Sequence, residues 1–346
     1  MDLHPGNCLS IAKMEYNIFI QLFPQSEGEA MPDVITFGEL LIDFVPTISN
    51  VSLLDAPAFK KAPGGAPANV AVGLSRLGIA TGFIGKVGDD AFGRFLARTL
   101  SENDVDISAL CFSDKARTAL AFVSLGAGGE REFMFYRHPS ADMLYTPQEV
   151  DGEYIRTAKI FHHGSISLIS EPSRSATFEA IKIARQGGLL ISYDPNLRIN
   201  LWPDENSARQ GLLSVWDQAD IIKVSEEELD FLSGYENTSQ AAEALWHDRL
   251  KLLLVTRGKK GCTYITKEFQ GDVPGFRVEP VDTTGAGDGF VAGMLMGLLE
   301  NPDAWEQEDR LSEICRFANA VGALVTMERG AIPAMPSRDR VIEFLL

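Results

Sequence analysis

Short apolar runs alternate with amphipathic stretches along most of this chain. Residues 34–45 (Val-Ile-Thr-Phe-Gly-Glu-Leu-Leu-Ile-Asp-Phe-Val) open the series and read as a buried first strand that Pro46 stops or turns. Residues 70–77 carry apolar side chains at helical spacing, and Gly78 is a sensible stop. Residues 80–87 read as a second core strand and 91–103 as the next helix. The core resumes with strands over 160–167, 189–194, 219–224 and 251–256, and with a helix over 172–186. An apolar helical run follows from Val291 towards Leu299, and 316–327 is a helix of small and apolar residues. This alternation predicts one doubly wound α/β domain, with a mostly parallel sheet and helices on both faces. One segment breaks the rhythm. Two strand-like stretches, 117–125 and 130–136, flank Gly126-Ala-Gly-Gly129, a hairpin signal. They predict a small antiparallel excursion able to act as a lid, with lid segments at about 46–62 and 116–138. Residues 1–31 show no such pattern and read as a poorly ordered extension ahead of a domain over 32–346.

Composition narrows the class of protein. With 346 residues and a 45% hydrophobic share, the chain can bury one large α/β core. Lys plus Arg number 31 against 48 Asp plus Glu, a formal charge of -17, so nucleic acid is not expected as a main partner. Cys8, Cys111, Cys262 and Cys315 are widely spaced and form no CxxC pair, which predicts neither a disulfide framework nor a zinc site. No apolar run reaches membrane-spanning length. Residues 1–31 fit neither a secretory signal nor a typical transit peptide, so the expected compartment is the cytoplasm, with a plastid as the alternative.

The chemistry concentrates where glycines and polar residues run into a helix, at Val281-Asp-Thr-Thr-Gly-Ala-Gly-Asp-Gly-Phe290. Glycines permit tight backbone geometry and close ligand approach. The free N–H groups of a first helical turn form an anion site. A phosphoryl group on Gly285, Ala286 and Gly287, beside the Asp288 carboxylate, is the layout a phosphotransferase needs; a purely structural cap reads the same way. Asp43, at the far end of the first strand, suits two sugar hydroxyls because an ionised carboxylate only accepts, though a turn carboxylate is the plainer reading. Gly64 and Gly65 let backbone approach a small molecule, and Asn69 in the early helix can both donate and accept. Asp194, Asn196 and Arg198 lie just past the carboxyl end of a buried strand, where open α/β sheets bind ligands. Arg198 suits phosphate oxygens, and Arg137 at the hairpin edge reads either as reaching a substrate or as solvated surface. Ser225 with Glu228 three residues on reads as a capping box. After the strand ending at Thr256, Gly258 and Gly261 permit packing against a flat group or a simple hairpin turn. Asn319 and Gly322 fall where a helix would border a nucleotide.

These segments resemble the ribokinase-like (pfkB-type) carbohydrate kinases, most of all the plant fructokinases, from about residue 33 to 340. The resemblance is carried by Gly38-Glu-Leu-Leu-Ile-Asp-Phe-Val-Pro46, Pro63-Gly-Gly-Ala-Pro-Ala-Asn-Val-Ala71, Glu130-Arg-Glu-Phe-Met-Phe-Tyr-Arg137 and Asp282-Thr-Thr-Gly-Ala-Gly-Asp288. Tyr193-Asp-Pro-Asn-Leu-Arg198 and Gly330-Ala-Ile-Pro333 add to it. It implies transfer of the ATP γ-phosphate to the 6-hydroxyl of D-fructose. Asp288 would be the base, the backbone of Gly285, Ala286 and Gly287 the anion hole, and Asp43, Gly65 and Asn69 the sugar site. It also implies Mg²⁺ held mostly through ATP phosphates and water near Glu228, and potassium near Asp282, Thr284, Val325 and Gly330. Ser225, Thr256, Gly258, Gly261, Asn319 and Gly322 would fall on the nucleotide side, and a homodimer through the lid is expected. One departure stands out: the superfamily's usual Asn-x-x-Glu begins here with Ser225. Alternatives are a kinase for another small sugar or a nucleoside, and a non-enzymatic fructokinase-like plastid scaffold.

Overall fold

The first strand decides how the rest is arranged. In the computed structural model, which describes residues 31–48, 51–125 and 131–346, β1 (Val34–Phe37) is fully buried. At Gly38 (φ 151°) the chain leaves the main sheet, and β2 (Leu41–Pro46) enters a second, smaller sheet. The single strand predicted over 34–45 is therefore two strands in two sheets. Both halves are apolar because both are covered on at least one face, so hydrophobicity alone carries no trace of the break. A Cβ on Gly38 would lie 2.7 Å from Pro67 Cγ, so that change of direction needs glycine.

The chain continues through β3 (Phe59–Gly64), α1 (Ala66–Arg76), β4 (Thr81–Gly88), α2 (Ala91–Ser101), β5 (Val105–Asp106), β6 (Leu110–Ser113), β7 (Leu120–Leu125) and β8 (Arg131–Tyr136). It then forms β9 (Ile160–His163), α3 (Ser173–Gln186), β10 (Leu190–Tyr193), β11 (Ile221–Ser225), α4 (Glu226–Ser233), β12 (Leu252–Thr256), β13 (Cys262–Ile265), β14 (Gln270–Val273), α5 (Ala286–Glu300) and α6 (Glu308–Val325). The main sheet has ten strands among the described residues. Its order is β14-β13-β12-β11-β10-β9-β1-β4-β5, with β6 paired to β4. Pairing is parallel from β12 through β10, β9 and β1 to β4, and antiparallel at the β12–β13–β14 edge. One buried cluster joins this sheet to α3 and α4 and another joins it to α1, α5 and α6, so helices cover both faces.

The small sheet runs β3-β2-β7-β8. Its β7–β8 hairpin is antiparallel, as the sequence predicts, but β2 pairs with β7 in parallel, so the sheet is mixed. The predicted hairpin turn at 126–129 and the extension at 1–30 lie outside the described residues.

Helix α5 is apolar nearly all round, and so it is buried. Gly289, Gly293 and Gly297 recur every fourth residue along it. A Cβ on them would meet Val325, Ala318 and Ile314 of α6 at 2.6–3.0 Å, so the stripe lets the two helices close up. Each glycine costs the helix about 1 kcal/mol of propensity. Fully burying one Leu or Val contributes roughly 1.5–3 kcal/mol, and α5 buries Val291, Leu295 and Leu298 at 0–1% exposure, so packing outweighs propensity.

Candidate active site

Asp288 sits in the first turn of α5 and is buried there. Gly285 caps this helix in the left-handed conformation (φ 80°), where a glycine carries no side-chain penalty. The N–H groups of a first turn have no carbonyl behind them in the helix, which leaves them to an outside acceptor. The Asp288 carboxylate accepts a hydrogen bond from Asn69 Nδ2 at 2.7 Å. That bond joins α1 to α5 across 219 residues of sequence. Asn69 Oδ1 is buried with no hydrogen-bond partner, an acceptor waiting for a donor such as a hydroxyl.

Beside this pair lies a cavity of about 260 Å³ between the carboxyl end of the main sheet and the small sheet. Asp43 enters it from β2. Among the described residues no group donates to the Asp43 carboxylate, so its lone pairs are available to a ligand. Burial pushes its pKa up to about 7; Arg198 pulls it down, while Asp282 and Asp288 add to the rise. Burial likewise raises the pKa of Asp288, against the Asn69 hydrogen bond and the charges of Lys223 and Arg198. Arg198 thus acts on both carboxylates, and its Nη1 donates to the carbonyls of Asn196 and Leu197.

The raised Asp43 pKa has a consequence for stability. The folded value lies above the unfolded one, so the contribution of the protonated form is full at low pH and is lost as pH rises through about 7. Asp43→Asn has no charge to bury. Its melting temperature is expected to climb relative to wild type between about pH 4 and about pH 7 and to level off above that. A pH-independent difference between the two proteins would contradict a desolvated carboxylate.

The structure brings Asp43, Gly65, Asn69, Arg198, Asp282, Thr284, Gly285, Gly287, Asp288 and Gly330 to one cavity. Asp282 ties its two loops together: Oδ1 accepts from the N–H and hydroxyl of Thr284, and Oδ2 from the N–H of Gly330. Ala286 is not on the wall, and its N–H points to the Thr283 carbonyl at 3.4 Å. Gly64 is also off the wall. A Cβ there would strike Asp43 Oδ2 at 2.2 Å, so Gly64 makes room for that carboxylate.

The remaining predicted residues have partners inside the fold. Ser225 and Glu228 form the predicted capping box of α4, and Glu228 Oε1 also accepts from Leu197 N–H at 2.6 Å. Thr256 donates to the Val224 carbonyl. Gly258 opens a turn at φ 53°, facing open space. Gly261 does approach backbone closely, but that of Val273–Gly275 in the same chain. Asn319 donates to the carbonyls of Val273 and Pro274. Gly322 lies against the Ala286 carbonyl, and Val325 packs with Ala334 and Met335.

Arg137 also has a partner inside the fold. Expected at the substrate, it is 4% exposed and forms an ion pair with Asp142, which also accepts from the Ser140 hydroxyl. Asp142 lies five residues further along the chain and holds the Nη2 end of the guanidinium. Arg137→Met would leave Asp142 buried without its cation, a loss of about 3–5 kcal/mol. Chemical unfolding should report that loss at an unchanged KM for sugar. A raised KM at unchanged stability would return Arg137 to the substrate.

Two charged cavity residues went unread in the sequence. Lys223 stands in the apolar run of β11 and pairs with Asp194, with both side chains at most 8% exposed. Glu39 follows Gly38, and its Oε1 accepts from Ala66 N–H at the start of α1; burial pushes its pKa up to about 7. The signal available for both was a lone charge inside a buried apolar run.

Among the described residues no three His, Cys, Asp or Glu side chains converge as a metal cage. The Asp282 carboxylate and the Thr284 hydroxyl are oxygen donors of the kind a hard cation takes, and Gly330 presents its N–H to Asp282. No helix among the described residues is long and apolar enough to cross a membrane.

The family model for pfkB family carbohydrate kinases matches residues 31–338. The chain belongs to that family. This pfkB-family kinase is 55% identical over 313 residues to fructokinase-1 of Zea mays, covering 90% of this chain and 97% of that one. It superposes on the fructokinase with bound ATP from Xylella fastidiosa with a TM-score of 0.84 at 37% identity, covering 91% and 98% of the two chains. It also matches a double-mutant fructokinase from Vibrio cholerae O395 in its fructose, ADP and potassium ion bound form, with a TM-score of 0.82 at 36% identity over 92% and 100% of the chains.

Proposed function

We propose that this kinase is an ATP-dependent fructokinase, which transfers the γ-phosphate of ATP to the 6-hydroxyl of D-fructose and releases fructose 6-phosphate and ADP. The observation that carries the reading is Asp288, buried at the start of α5, bonded to Asn69 and facing the same cavity as the unpartnered carboxylate of Asp43. A sugar hydroxyl is a poor nucleophile, and a loose phosphoryl-transfer transition state asks mostly for alignment and charge stabilisation. Asp288 takes the hydroxyl proton as the new O–P bond forms. The backbone at Gly285 and Gly287, which line the cavity, faces the phosphoryl oxygens. Asp43 and Asn69 Oδ1 accept from other sugar hydroxyls, and Gly65 keeps the wall open between them. Arg198 offsets charge between the two carboxylates and the incoming phosphates.

The nucleotide is assigned to the surface of Ser225, Thr256, Gly258, Gly261, Asn319 and Gly322, which order the loops past the carboxyl ends of β11 and β12. Bound Mg²⁺ would neutralise phosphate charge. Glu228 keeps a second lone pair on each carboxylate oxygen, enough to accept from the water of a hydrated cation. Asp282, Thr284 and Gly330, with the loop after Val325, are assigned to a potassium ion beside the anion site. The small sheet exposes Met134 and Tyr136 at 42% and 56%, a face suited to a second copy of the chain.

Purified protein with Mg-ATP is to be assayed on fructose, glucose, ribose, 2-keto-3-deoxygluconate and adenosine, with and without potassium. A strong preference for fructose supports the reading. Preference for another acceptor keeps the chemistry and replaces the substrate, and a folded, ATP-binding protein inert on all five returns the scaffold alternative.

A further inference from the structure

Strand β11 alternates its faces. Ile222 and Val224 enter the cluster under α3 and α4, whereas Ile221 enters the one under α5. Lys223 shares the α5 side with Ile221 and ends against the first turn of that helix. Its Nζ lies 3.1 Å and 3.3 Å from the two Asp194 oxygens. It also lies 3.1 Å from the point where a Cβ on Gly287 would stand. An ammonium has three N–H donors, and Asp194 takes at most two of them. The ammonium therefore stands beside the backbone assigned to the phosphoryl group, separated from it only by the missing side chain of Gly287.

We propose that Lys223 is a catalytic residue whose ammonium supplies a fixed positive charge to the transferring phosphoryl group, with Asp194 as its positioning residue. The inference rests on the reading of the cavity as a phosphoryl-transfer site. In the step, the sugar O6 bonds to the γ-phosphorus and the bond from that phosphorus to the bridging oxygen breaks. Its electron pair leaves with ADP, and the O6 proton goes to Asp288. Lys223 stays protonated and contributes charge and one hydrogen bond. Burial pulls its pKa down, but the carboxylates of Asp194, Glu228 and Asp288 more than offset this, so the net shift is upward. A buried lysine held charged this way costs no reorganisation when phosphoryl charge develops.

The plainer role is neutralisation of Asp194, and a double variant separates the two. Lys223→Met alone leaves Asp194 buried and unpaired, with a risk of unfolding. Lys223→Met with Asp194→Asn removes both charges and is expected to melt near wild type. We expect kcat on fructose to stay down by about 10²–10³-fold in the double variant, as for loss of one preorganised donor, with KM values for fructose and ATP little changed. Binding of ADP with aluminium fluoride and fructose, a mimic of the transferring group, should weaken by a similar factor while ADP alone binds as before. Recovery of kcat to near wild type, or an unaltered affinity for the aluminium fluoride complex, overturns the proposal. A wild-type protein inert on fructose would instead overturn the fructokinase reading; the aluminium fluoride affinity, measured with whichever acceptor is used, would still decide on Lys223.

Discussion

Asp288→Asn is expected to lower kcat by about 10²–10⁴-fold, the usual effect of losing a general base, and to leave KM for sugar and nucleotide little changed. The geometry makes this a clean substitution. Asn69 Nδ2 donates to Asp288 Oδ2 at 2.7 Å, and an asparagine carbonyl in the same place still accepts that bond. The joint between α1 and α5 therefore survives. The fold should not suffer either, because the wild-type carboxylate is buried and its pKa is already raised by that burial. Removing the charge removes a desolvation cost. Steady-state rates and thermal melts on the same preparation check both halves. Ordinary turnover in a folded Asp288→Asn protein would remove Asp288 from the mechanism.

Gly285→Ala should be nearly as damaging, by another route. Gly285 adopts φ 80°, a left-handed conformation that costs an ordinary residue roughly 1–2 kcal/mol. Its Cβ would also stand 2.6 Å from Ala331 Cβ and 2.9 Å from Ala331 Cα. Backbone cannot swing aside as a side-chain tip can, so the loop at Gly330 and the short helix Ala331–Ala334 behind it have to move. That loop is tied to Asp282 through the Gly330 N–H, and the displacement reaches the first turn of α5. We expect a stability loss of about 1–3 kcal/mol from overpacking. Loss of the aligned N–H donors should lower kcat by about 10²-fold or more. Ala331→Gly in the same chain removes one of the two contacts and should restore part of the stability. A Gly285→Ala protein with wild-type kcat would show that this turn need not be tight for the anion site.

Local features were legible because their physics is local. The capping box of Ser225 and Glu228 needs only a spacing of three residues. The β7–β8 hairpin needs two short strands and a glycine turn. The glycine-rich entry to α5 carries both the left-handed cap and the buried carboxylate within a few residues. The Ser225 departure has a structural counterpart here: the hydroxyl accepts from Glu228 N–H, so serine still caps the helix without the amide.

Features set by distant neighbours were not legible. Whether Gly258 and Gly261 serve a ligand or a turn was open in the sequence; the backbone of Val273–Gly275, folded against Gly261, shows what that glycine accommodates. Lys223 carried no reading in the sequence, because its counter-charge, Asp194, comes from the end of the neighbouring strand.

By itself, the sequence determined the alternation of strands and helices, the family, the anion-binding helix start and the presence of two carboxylates suited to sugar chemistry. Those depend on periodicity and on runs of a few residues. Tertiary structure alone decided that residues 34–45 divide between two sheets at Gly38, that Asn69 meets Asp288 across 219 positions, and that Lys223 is drawn in to Asp194. The physical reason is that a buried charge settles where a counter-charge or hydrogen-bond partner meets its desolvation cost, and the partner's position is set by packing rather than by neighbours in sequence.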